Sequence, residues 1–447
     1  MNITRRNFFI GGAACGALAG CRMFRAAPGL FTDGVPRLTL GVISDIHVDC
    51  GAGDFKKFGD ASIFERTLRW FDMQGVDGVI VAGDMADNGM VNQLQCVADA
   101  WFRVFPNGRS PRDGRPVEQL FVYGNHDLEG FRYDSFGERY FEKTSFAAAQ
   151  IVRDPKSVWE RLFHEPYAPI WRKTVKGYPV IGAHWATGKN AWEGIPEVES
   201  HFARHGRTLD PDLPFFFIQH PHLQGTVNAG RCWGADKGYA TRALTPFPNA
   251  VAFSGHSHAS LTDELSIWQG AFTSIGTSSL RYGGAQNKWE QRQGQLVRVY
   301  EDRLVIARRD FEHDLPLGDD WVIPLPAAER RPFETEARRR SSVPPRFAAD
   351  ARLSVEKKGE GWLLTIPCAD AGATRAFRYE IATGLTKADG TPGVYLAYDA
   401  KYNMPRSMAG APTKYLVKAA DFAAGAEPSF AVTPLDCFDN RGEALRT

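Results

Sequence analysis

The sequence lacks several features that mark common functional classes. Its 53 Lys and Arg residues almost balance its 52 Asp and Glu residues, so bulk charge gives no argument for binding to nucleic acid or a membrane surface. Its seven cysteines include no CxxC pair and no zinc-finger spacing. No internal repeat is visible, which leaves an ordinary globular protein of two or three domains.

The N-terminus has the pattern of an export signal. Arg5 and Arg6 precede an apolar stretch of small residues, 11–19, which is too short to span a bilayer. The arginine pair resembles a twin-arginine signal, and LAGC, which ends at Cys21, resembles a bacterial lipobox whose cysteine is lipidated. We expect export to the cell envelope, with a lipid anchor, facing the periplasm or the outside. A plain secretory signal with a coincidental cysteine is the alternative.

Apolar runs alternate with helix-like segments over about residues 37–315, which predicts a layered α/β domain. Residues 63–74 are apolar along one face and predict a connecting helix. The last two runs are separated by only two residues and predict a hairpin. The predicted strands are 38–43, 76–82, 119–123, 178–183, 214–218, 250–253, 296–300 and 303–307.

The composition changes after this domain. Residues 327–350 interleave arginines with glutamates, which favours a solvated linker over a nucleic-acid patch. Beyond them, short apolar runs alternate with turn signals and predict a small β-sandwich that resembles a fibronectin type III module. Cys368 and Cys437 are the disulfide candidate there. The predicted organisation is an export signal (1–21), a tether (22–36), the α/β domain (37–326), a linker (327–350) and the β-sandwich (351–447).

Metal-capable side chains follow five of the predicted strands, three of them with a glycine at the turn. In an open α/β sheet, sites form beyond the carboxyl ends of the strands, so neighbouring strands that run in similar directions would bring these loops together. The side chains concerned are Asp45, His47, Asp84, Asn125, His126, Asp127, His220, His222, His256 and His258.

The number of candidate ligands favours two metal ions. One ion of ordinary coordination number cannot use all of them, whereas two ions that share a carboxylate can. Two metals about 3.5–4 Å apart can stabilise the attacking and leaving oxygens of a phosphoryl displacement and acidify a bound water. The candidate metal ligands are Asp45, His47, Asp84, Asn125, His220, His256 and His258.

The same motifs resemble the calcineurin-like metallophosphoesterases. They are DxH at 45–47, GD at 83–84, GNHD at 124–127, a lone histidine at 220 and GHxH at 255–258. The motifs occur in the family's order and cover most of residues 40–260. The resemblance implies a sandwich of β-sheets flanked by helices and two divalent ions, drawn from Mn, Fe, Zn or Co. It also implies hydrolysis of a phosphate ester by a metal-bridged hydroxide.

The resemblance further implies a role for each residue. Asp84 would bridge the two ions, with His126 as general acid or transition-state stabiliser and Asp127 as the group that orients His126. One ion would be held by Asp45, His47, Asp84 and His258, and the other by Asp84, Asn125, His220 and His256. Purple acid phosphatases within the family carry a metal-bound tyrosine where this chain has Asp87, so no such tyrosinate is expected here.

Substrate contacts are less constrained by the motifs. His222 and Arg281 are candidate substrate-binding residues, although His222 can equally point away from the site. His184 is interpreted as a histidine whose ring makes its hydrogen bonds within the protein, either at a strand end or at the rim of the metal site. A phosphodiester is favoured over a phosphomonoester, because the resemblance is closer to the phosphodiesterase-like branch.

The expected partners are a phosphate-ester substrate and, through the lipid anchor alone, a membrane; no nucleic-acid surface is evident. The alternative function is a non-catalytic, metal-containing lipoprotein that binds phosphorylated envelope material. It is disfavoured because His126 and Asp127, which a pure binding protein does not need, are both present.

Overall fold

The computed structural model describes residues 34–49, 61–130, 150–185, 194–228, 234–284, 291–327, 329–370, 374–399, 401–408 and 410–447. The predicted export signal and most of the predicted tether lie outside these residues and stay predictions. Within the described ranges, no helix is both long enough and apolar enough to cross a membrane.

The α/β part of the chain contains each of the predicted strands, with ends shifted by three residues or fewer. The strands are β1 (Leu38–Ile43), β2 (Gly78–Ala82), β3 (Glu118–Val122), β4 (Ile170–Val175), β5 (Tyr178–Ala183), β6 (Phe215–Ile218), β7 (Ala250–Ser254), β8 (Ile267–Gln269), β9 (Thr273–Gly276), β10 (Gln293–Val299), β11 (Arg303–Asp310), β12 (Leu315–Pro316) and β13 (Trp321–Pro324). The helices are α1 (Ser62–Met73), α2 (Val91–Val104), α3 (Asn125–Glu129), α4 (Pro155–Phe163), α5 (Glu197–His205) and α6 (Tyr239–Leu244).

These strands form two sheets. The first has the spatial order β12-β11-β10-β1-β2-β3, with β13 also paired to β11, and the second has the order β4-β5-β6-β7-β9-β8. β1, β2 and β3 are parallel, as are β5, β6, β7 and β9. β10 and β11 form the predicted antiparallel hairpin. The strands that sequence analysis missed lie mainly at the sheet edges, where pairing on one side leaves a weak apolar signal.

The two sheets face each other across a shared core, with helices on both outer surfaces. Inward side chains such as Leu40, Ile80 and Phe216 are buried together between the sheets. Because side chains alternate along a strand, the other residues of β2 and β3 face outward and pack under α1, α2 and α4. Helices α5 and α6 cover the second sheet in the same way. This arrangement is the predicted sandwich of sheets flanked by helices.

The layering determines where the motif loops meet. β1, β2 and β3 end at one edge of the first sheet, and β6 and β7 end at the corresponding edge of the second sheet. The five loops that carry the motifs therefore come from two facing sheets rather than from neighbours in one sheet. The candidate ligands therefore face the site from opposite sides, so they can surround a cation instead of lining a surface.

Two small antiparallel sheets form the C-terminal part. β14 (Ser354–Lys358), β15 (Gly361–Ile366) and β18 (Thr413–Lys418) form one, and β17 (Pro392–Tyr398), β16 (Arg378–Thr386), β19 (Ala431–Leu435) and β20 (Leu445–Arg446) form the other. Residues from both sheets, including Leu364, Tyr379 and Val432, share one core. The likeness to a fibronectin type III module stays a prediction.

The segment between these parts is ordered by contacts with the first domain. It contains a short helix, α7 (Thr335–Ser341), from which Arg338 pairs with the carboxylate of Glu264. Cys368 and Cys437 are not joined by a disulfide, so that pairing was wrong. Both residues lie in the C-terminal part, but proximity along a domain does not bring two sulfur atoms into bonding geometry.

The inter-sheet core gives a stability prediction. Ile80 is fully buried between the sheets, so Ile80→Val removes one methylene from a packed layer and should lower the free energy of unfolding by about 1 kcal/mol. Val343 is 51% exposed, and Val343→Ala should change the free energy of unfolding by less than about 0.5 kcal/mol. Urea unfolding followed by tryptophan fluorescence measures both. Equal midpoints for the two variants would contradict the assignment of Ile80 to the core.

Candidate metal centre

The structure brings all seven candidate ligands together at the edge where the two sheets meet. Three groups of side chains each present ligand atoms within 4.8 Å of one another; one consists of His47, Asp87 and His126, and the other two contain candidate ligands only. Asn125 joins the second group, because its Oδ1 lies 2.9 Å from Nδ1 of His256. The first group contains Asp45, His47, Asp84 and His258, and the second contains Asp84, His220 and His256.

In the first group, two imidazoles turn their Nε2 atoms toward each other. Nδ1 of His258 lies 3.1 Å from the carbonyl oxygen of Tyr282, and Nδ1 of His47 lies 2.9 Å from the carboxylate of Asp87. Each of these partners accepts, so both Nδ1 atoms carry a hydrogen and both Nε2 atoms face the site. The two Nε2 atoms are only 3.1 Å apart, and Nε2 of His258 lies 2.9 Å from Oδ1 of Asp45.

The second group repeats this arrangement. Nδ1 of His220 donates to the carbonyl oxygen of Ala82 at 2.8 Å, so its Nε2 faces the site. That Nε2 lies 3.0 Å from Oδ2 of Asp84 and 3.2 Å from Nδ1 of His256. Buried ligand atoms that face each other at these distances require a metal ion or a proton between them. The donor set, made of carboxylate, imidazole and amide groups, fits divalent metal ions.

Asp84 belongs to both groups. Its Oδ2 lies 3.0 Å from Nε2 of His220 and 3.7 Å from Nε2 of His47, while its Oδ1 accepts the backbone N–H of His126 at 2.8 Å. The carboxylate is therefore held by the turn that begins α3 and stands between the two sets of imidazoles. A shared carboxylate is the feature that a two-ion centre requires.

The charges of the site are strongly coupled. Burial alone would raise the pKa of Asp84, but the neighbouring rings of His220 and His126 lower it below its ordinary value. Burial also disfavours the charged form of His220, yet the carboxylate of Asp84 raises the pKa of that ring to about 9. In the metal-free protein, a proton therefore takes the place of the cation. Metal binding must displace this proton, so the metal affinity should fall as the pH is lowered.

Glycines in two of the motifs make room for the carboxylates. A Cβ atom on Gly124 would collide with the carboxylate and backbone nitrogen of Asp84, and one on Gly255 would collide with the carboxylate of Asp45. Only a residue without a side chain lets these turns approach the acidic ligands so closely. The glycine that precedes the two histidines of GHSH is thus a steric requirement of the site.

The ligands also sit on an unusual backbone. Five of the seven candidate ligands have a positive φ: Asp45 (52°), His47 (47°), Asp84 (53°), His256 (72°) and His258 (51°). Left-handed backbone at a non-glycine residue costs on the order of 1 kcal/mol. The turns therefore depend on contacts with the surrounding structure to hold the ligands in place.

A sixth loop, which follows β9, supplies part of that support; sequence analysis named Arg281 from this loop but none of the residues that support the ligands. Ser44 donates to the carboxylate of Asp45 and lies 2.6 Å from the hydroxyl of Thr277. Ser279 donates to the carbonyl oxygen of Asp45 at 3.0 Å. From the same loop, the ring of Tyr282 packs against that of His258, with centroids 4.4 Å apart. Serine and threonine are too common for their position in the sequence to have identified this loop.

The predicted contact between Asp127 and the ring of His126 is not what the structure shows. The carboxylate of Asp127 accepts the backbone N–H groups of Ala86 and Gly124, each at 2.7 Å, and so ties the GD loop to the GNHD loop. The ring of His126 instead donates through Nδ1 to the carbonyl oxygen of Asp87, at 2.7 Å. The side chain at position 127 points back over its own helix start, which a motif cannot reveal.

Asp87 orients both of its histidine neighbours. Its carboxylate accepts from Nδ1 of His47 at 2.9 Å, and its carbonyl oxygen accepts from His126. Its side chain is thus a hydrogen-bond partner of a candidate ligand, which fixes the ring of His47 in the direction a metal requires. The spacing GDxxD contained this signal, but sequence analysis used the position only to exclude a tyrosine ligand.

The remaining candidates lie beside the centre rather than in it. Arg281 donates to the carbonyl oxygen of His47 at 2.6 Å and pairs with Asp49 at 3.2 Å; its role as a substrate contact stays a prediction. His222 is only 1% exposed, so a substrate contact by its ring is wrong for this conformation. His184 is buried as expected, where it accepts the backbone N–H of Tyr123 at 3.0 Å.

A cleft opens next to His258 and is shared with the C-terminal part. The first domain lines it with Ala259, Ser260, Asp263 and Gly284 in addition to His258, and the C-terminal part lines it with Phe377, Tyr398, Asp399, Tyr402 and Asn403. Thr262 donates to the carbonyl oxygen of Tyr402, and the side-chain amide of Gln293 donates to that of Asn403, each at 2.7 Å. The C-terminal part is thus attached directly beside a candidate ligand.

The steric role of Gly255 gives a testable prediction. Gly255→Ala should push the carboxylate of Asp45 out of place and weaken Mn²⁺ binding by about 10–100-fold, the range seen when the support of a ligand is lost. Gly359→Ala is the matched control, because nothing lies within 4 Å of the added methyl group. Isothermal titration calorimetry on EDTA-treated protein measures both. Unchanged affinity for Gly255→Ala would show that the turn accepts a side chain.

Comparison with known proteins agrees with this geometry. Residues 38–260, about half of the chain, match the family model of the calcineurin-like phosphoesterases. No curated protein matches the chain. Among solved structures, the chain is similar to a dimetal phosphatase from Danio rerio at 11% sequence identity and a TM-score of 0.40, over 65% of this chain and 99% of that one.

The chain is also similar to a purple acid phosphatase from yellow lupin seeds, at 14% identity and a TM-score of 0.40, over 64% of this chain and 53% of that one. Structural likenesses at this level carry no argument about activity, so the assignment rests on the family match and the Asp/His metal-binding site. Residues 38–260 form a calcineurin-like phosphoesterase domain, and the protein is a metal-dependent phosphoester hydrolase.

Proposed function

We propose that this protein is an exported phosphodiesterase that uses two divalent metal ions. The observation that carries the proposal is Asp84, whose carboxylate belongs to two buried ligand groups at once. A single structural ion would need only one of these groups. The natural ions would come from Mn, Fe, Zn or Co, because the mixed oxygen and nitrogen donors suit all four.

The ligand assignment follows the two groups. Asp45, His47 and His258 would hold one ion, Asn125, His220 and His256 would hold the other, and Asp84 would bridge them. When bound, such a pair supplies electrophilic activation of the phosphoryl group and a hydroxide at neutral pH. The chain contributes the fixed donor geometry, because Nδ1 of His47, His220 and His258 is held by hydrogen bonds to the protein.

His126 is the protein group best placed to assist the leaving oxygen. Its side chain is 21% exposed, whereas those of His47, His220 and His258 are almost completely buried. The hydrogen bond from Nδ1 to the carbonyl oxygen of Asp87 fixes the ring orientation, and proton transfer or charge stabilisation would use the other ring nitrogen, Nε2. Asp127 acts on the backbone of the same loop rather than on the ring.

The diester preference follows the resemblance to the phosphodiesterase-like branch. The small cleft beside His258 has room for about one water molecule, so a second ester substituent would lie against its mouth, where aromatic side chains of the C-terminal part form one wall. The described residues that line it include no lysine or arginine, which favours an uncharged substituent over a second phosphate. The role of the C-terminal part would then be to shape this side of the substrate site.

The cellular location is inferred from the N-terminal motifs alone. The twin-arginine pattern suits a metalloprotein, because that route carries proteins that fold before they cross the membrane. Lipidation of Cys21 would attach the protein to the cell envelope, facing the periplasm or the outside.

The enzyme hypothesis can be tested by metal analysis and ester hydrolysis. We expect about two ions per chain and metal-dependent release of p-nitrophenol from bis-p-nitrophenyl phosphate. Asp84→Asn should lower kcat/KM by at least about 100-fold, since loss of an outer partner of a ligand alone lowers activity by about 10–100-fold. His126→Ala should lower kcat by about 100-fold or more while leaving the metal content unchanged.

Two exposed residues provide controls, since Asp212→Asn and His205→Ala make the same chemical changes far from the centre. Both variants should keep wild-type metal content and activity. The rival function, a lipoprotein that binds phosphorylated envelope material without turnover, predicts metal binding with no hydrolysis in any variant. A stoichiometry of zero after reconstitution would falsify both functions.

The diester preference has its own test. The kcat/KM for bis-p-nitrophenyl phosphate should exceed that for p-nitrophenyl phosphate, and Tyr398→Ala should reduce this advantage by about twofold to tenfold, the value of one aromatic contact. Tyr415→Ala is the control, because it removes a tyrosine from β18 that does not line the cleft. A higher kcat/KM for the monoester, or equal effects of the two variants, would contradict the role of the cleft.

A further inference from the structure

His222 lies between two of the loops that carry candidate ligands. It follows His220 by two residues, and its backbone is anchored because its carbonyl oxygen accepts the N–H of Asp236 at 2.8 Å. The carboxylate of Asp236 in turn accepts the N–H groups of Gln224 and Gly238, each at 2.9 Å. These hydrogen bonds to Asp236 therefore fix the backbone of the loop after β6 at His222.

The ring of His222 reaches across to the GHSH turn. Its Nδ1 lies 2.8 Å from the hydroxyl of Ser254, and its Nε2 lies 2.6 Å from the hydroxyl of Ser257. Ser254 is the last residue of β7, and Ser257 stands between His256 and His258. The ring thus contacts the turn at its start and at its centre, and all three side chains are buried.

We propose that His222 is a positioning residue that ties the loop of His220 to the turn of His256 and His258, and so sets the spacing of the metal ligands. The inference rests on the proposed function only in requiring that these histidines bind metal. His222 itself is neither a ligand nor a substrate contact, because both of its nitrogens are engaged by serine hydroxyls and its ring is buried.

The backbone conformation of the GHSH turn explains why hydrogen bonds from outside the turn are needed. His256 and His258 both have left-handed φ values, which non-glycine residues disfavour, so the turn depends on other contacts to keep its conformation. Within the turn, Ser257 donates its N–H to the carbonyl oxygen of Gly255 at 2.8 Å, and its hydroxyl accepts the N–H of Ala259 at 3.2 Å. Ser257 is therefore the residue through which a contact from outside can fix both neighbouring histidines.

An imidazole suits this position for a chemical reason. A neutral ring has one donor and one acceptor nitrogen on opposite sides, and it can meet two hydroxyls at once. Phenylalanine keeps the ring volume and loses both hydrogen bonds, while glutamine can restore the bond at the position of Nε2. The two replacements therefore separate packing from hydrogen bonding.

The experiment measures Mn²⁺ affinity by isothermal titration calorimetry on the EDTA-treated full chain, together with the melting temperature of the metal-free protein. His222→Phe should weaken Mn²⁺ binding by about 10–100-fold, and His222→Gln should recover part of the loss. Ser257→Ala should weaken binding in the same way. The double variant should be no weaker than His222→Phe alone, because the two residues act through one contact.

Thr383→Val is the matched control, since it removes a buried hydroxyl that donates to the carbonyl oxygen of Gly393 at 2.9 Å, in the C-terminal part. It should lower the melting temperature without changing the Mn²⁺ affinity. Wild-type affinity in folded His222→Phe or in Ser257→Ala overturns the inference, and if His222→Phe does not fold, Ser257→Ala alone decides.

A wild-type chain that binds two ions but hydrolyses no ester contradicts the proposed function and leaves the affinity comparison valid. A wild-type chain that binds no ion overturns both.

Discussion

The structure depends on one constraint: buried imidazole and carboxylate groups are held with their ligand atoms facing each other. Nε2 of His47 and Nε2 of His258 are 3.1 Å apart, and Nε2 of His220 is 3.0 Å from the carboxylate of Asp84. Hydrogen bonds on the far side of each ring prevent these atoms from turning away. This arrangement needs positive charge between the facing atoms, which a metal ion supplies or, in the metal-free protein, the proton on His220.

The fold meets this constraint by distributing the donors over two sheets. Three ligand-bearing loops leave the first sheet and two leave the second, so repulsion between the ligands is resisted by both layers of the core. Glycines at 124 and 255 let the turns approach the carboxylates closely. Left-handed backbone at the ligands then orients the side chains, and contacts from Asp87, Thr277 and His222 keep the turns in place.

The sequence predicted most of this site, because its strongest signals are local. Apolar runs marked the buried strands, and the metal-capable residues directly after them marked the loops, so the seven candidate ligands could be named without a structure. Contacts between distant residues could not be predicted in this way. Thr277 supports the loop of Asp45 from 233 positions further along the chain. The direction of a side chain within a loop could not be predicted from the sequence either. Asp127 and His222 were therefore assigned contacts that the structure does not show.

The central claim is that two cations occupy this cluster and share Asp84, and anomalous diffraction from crystals grown with Mn²⁺ tests it most directly. Data collected at the manganese absorption edge should show two peaks. One is expected among Asp45, His47 and His258, the other beside His220 and His256, and the carboxylate of Asp84 should lie between them. A single peak, or peaks outside the cluster, would contradict the account.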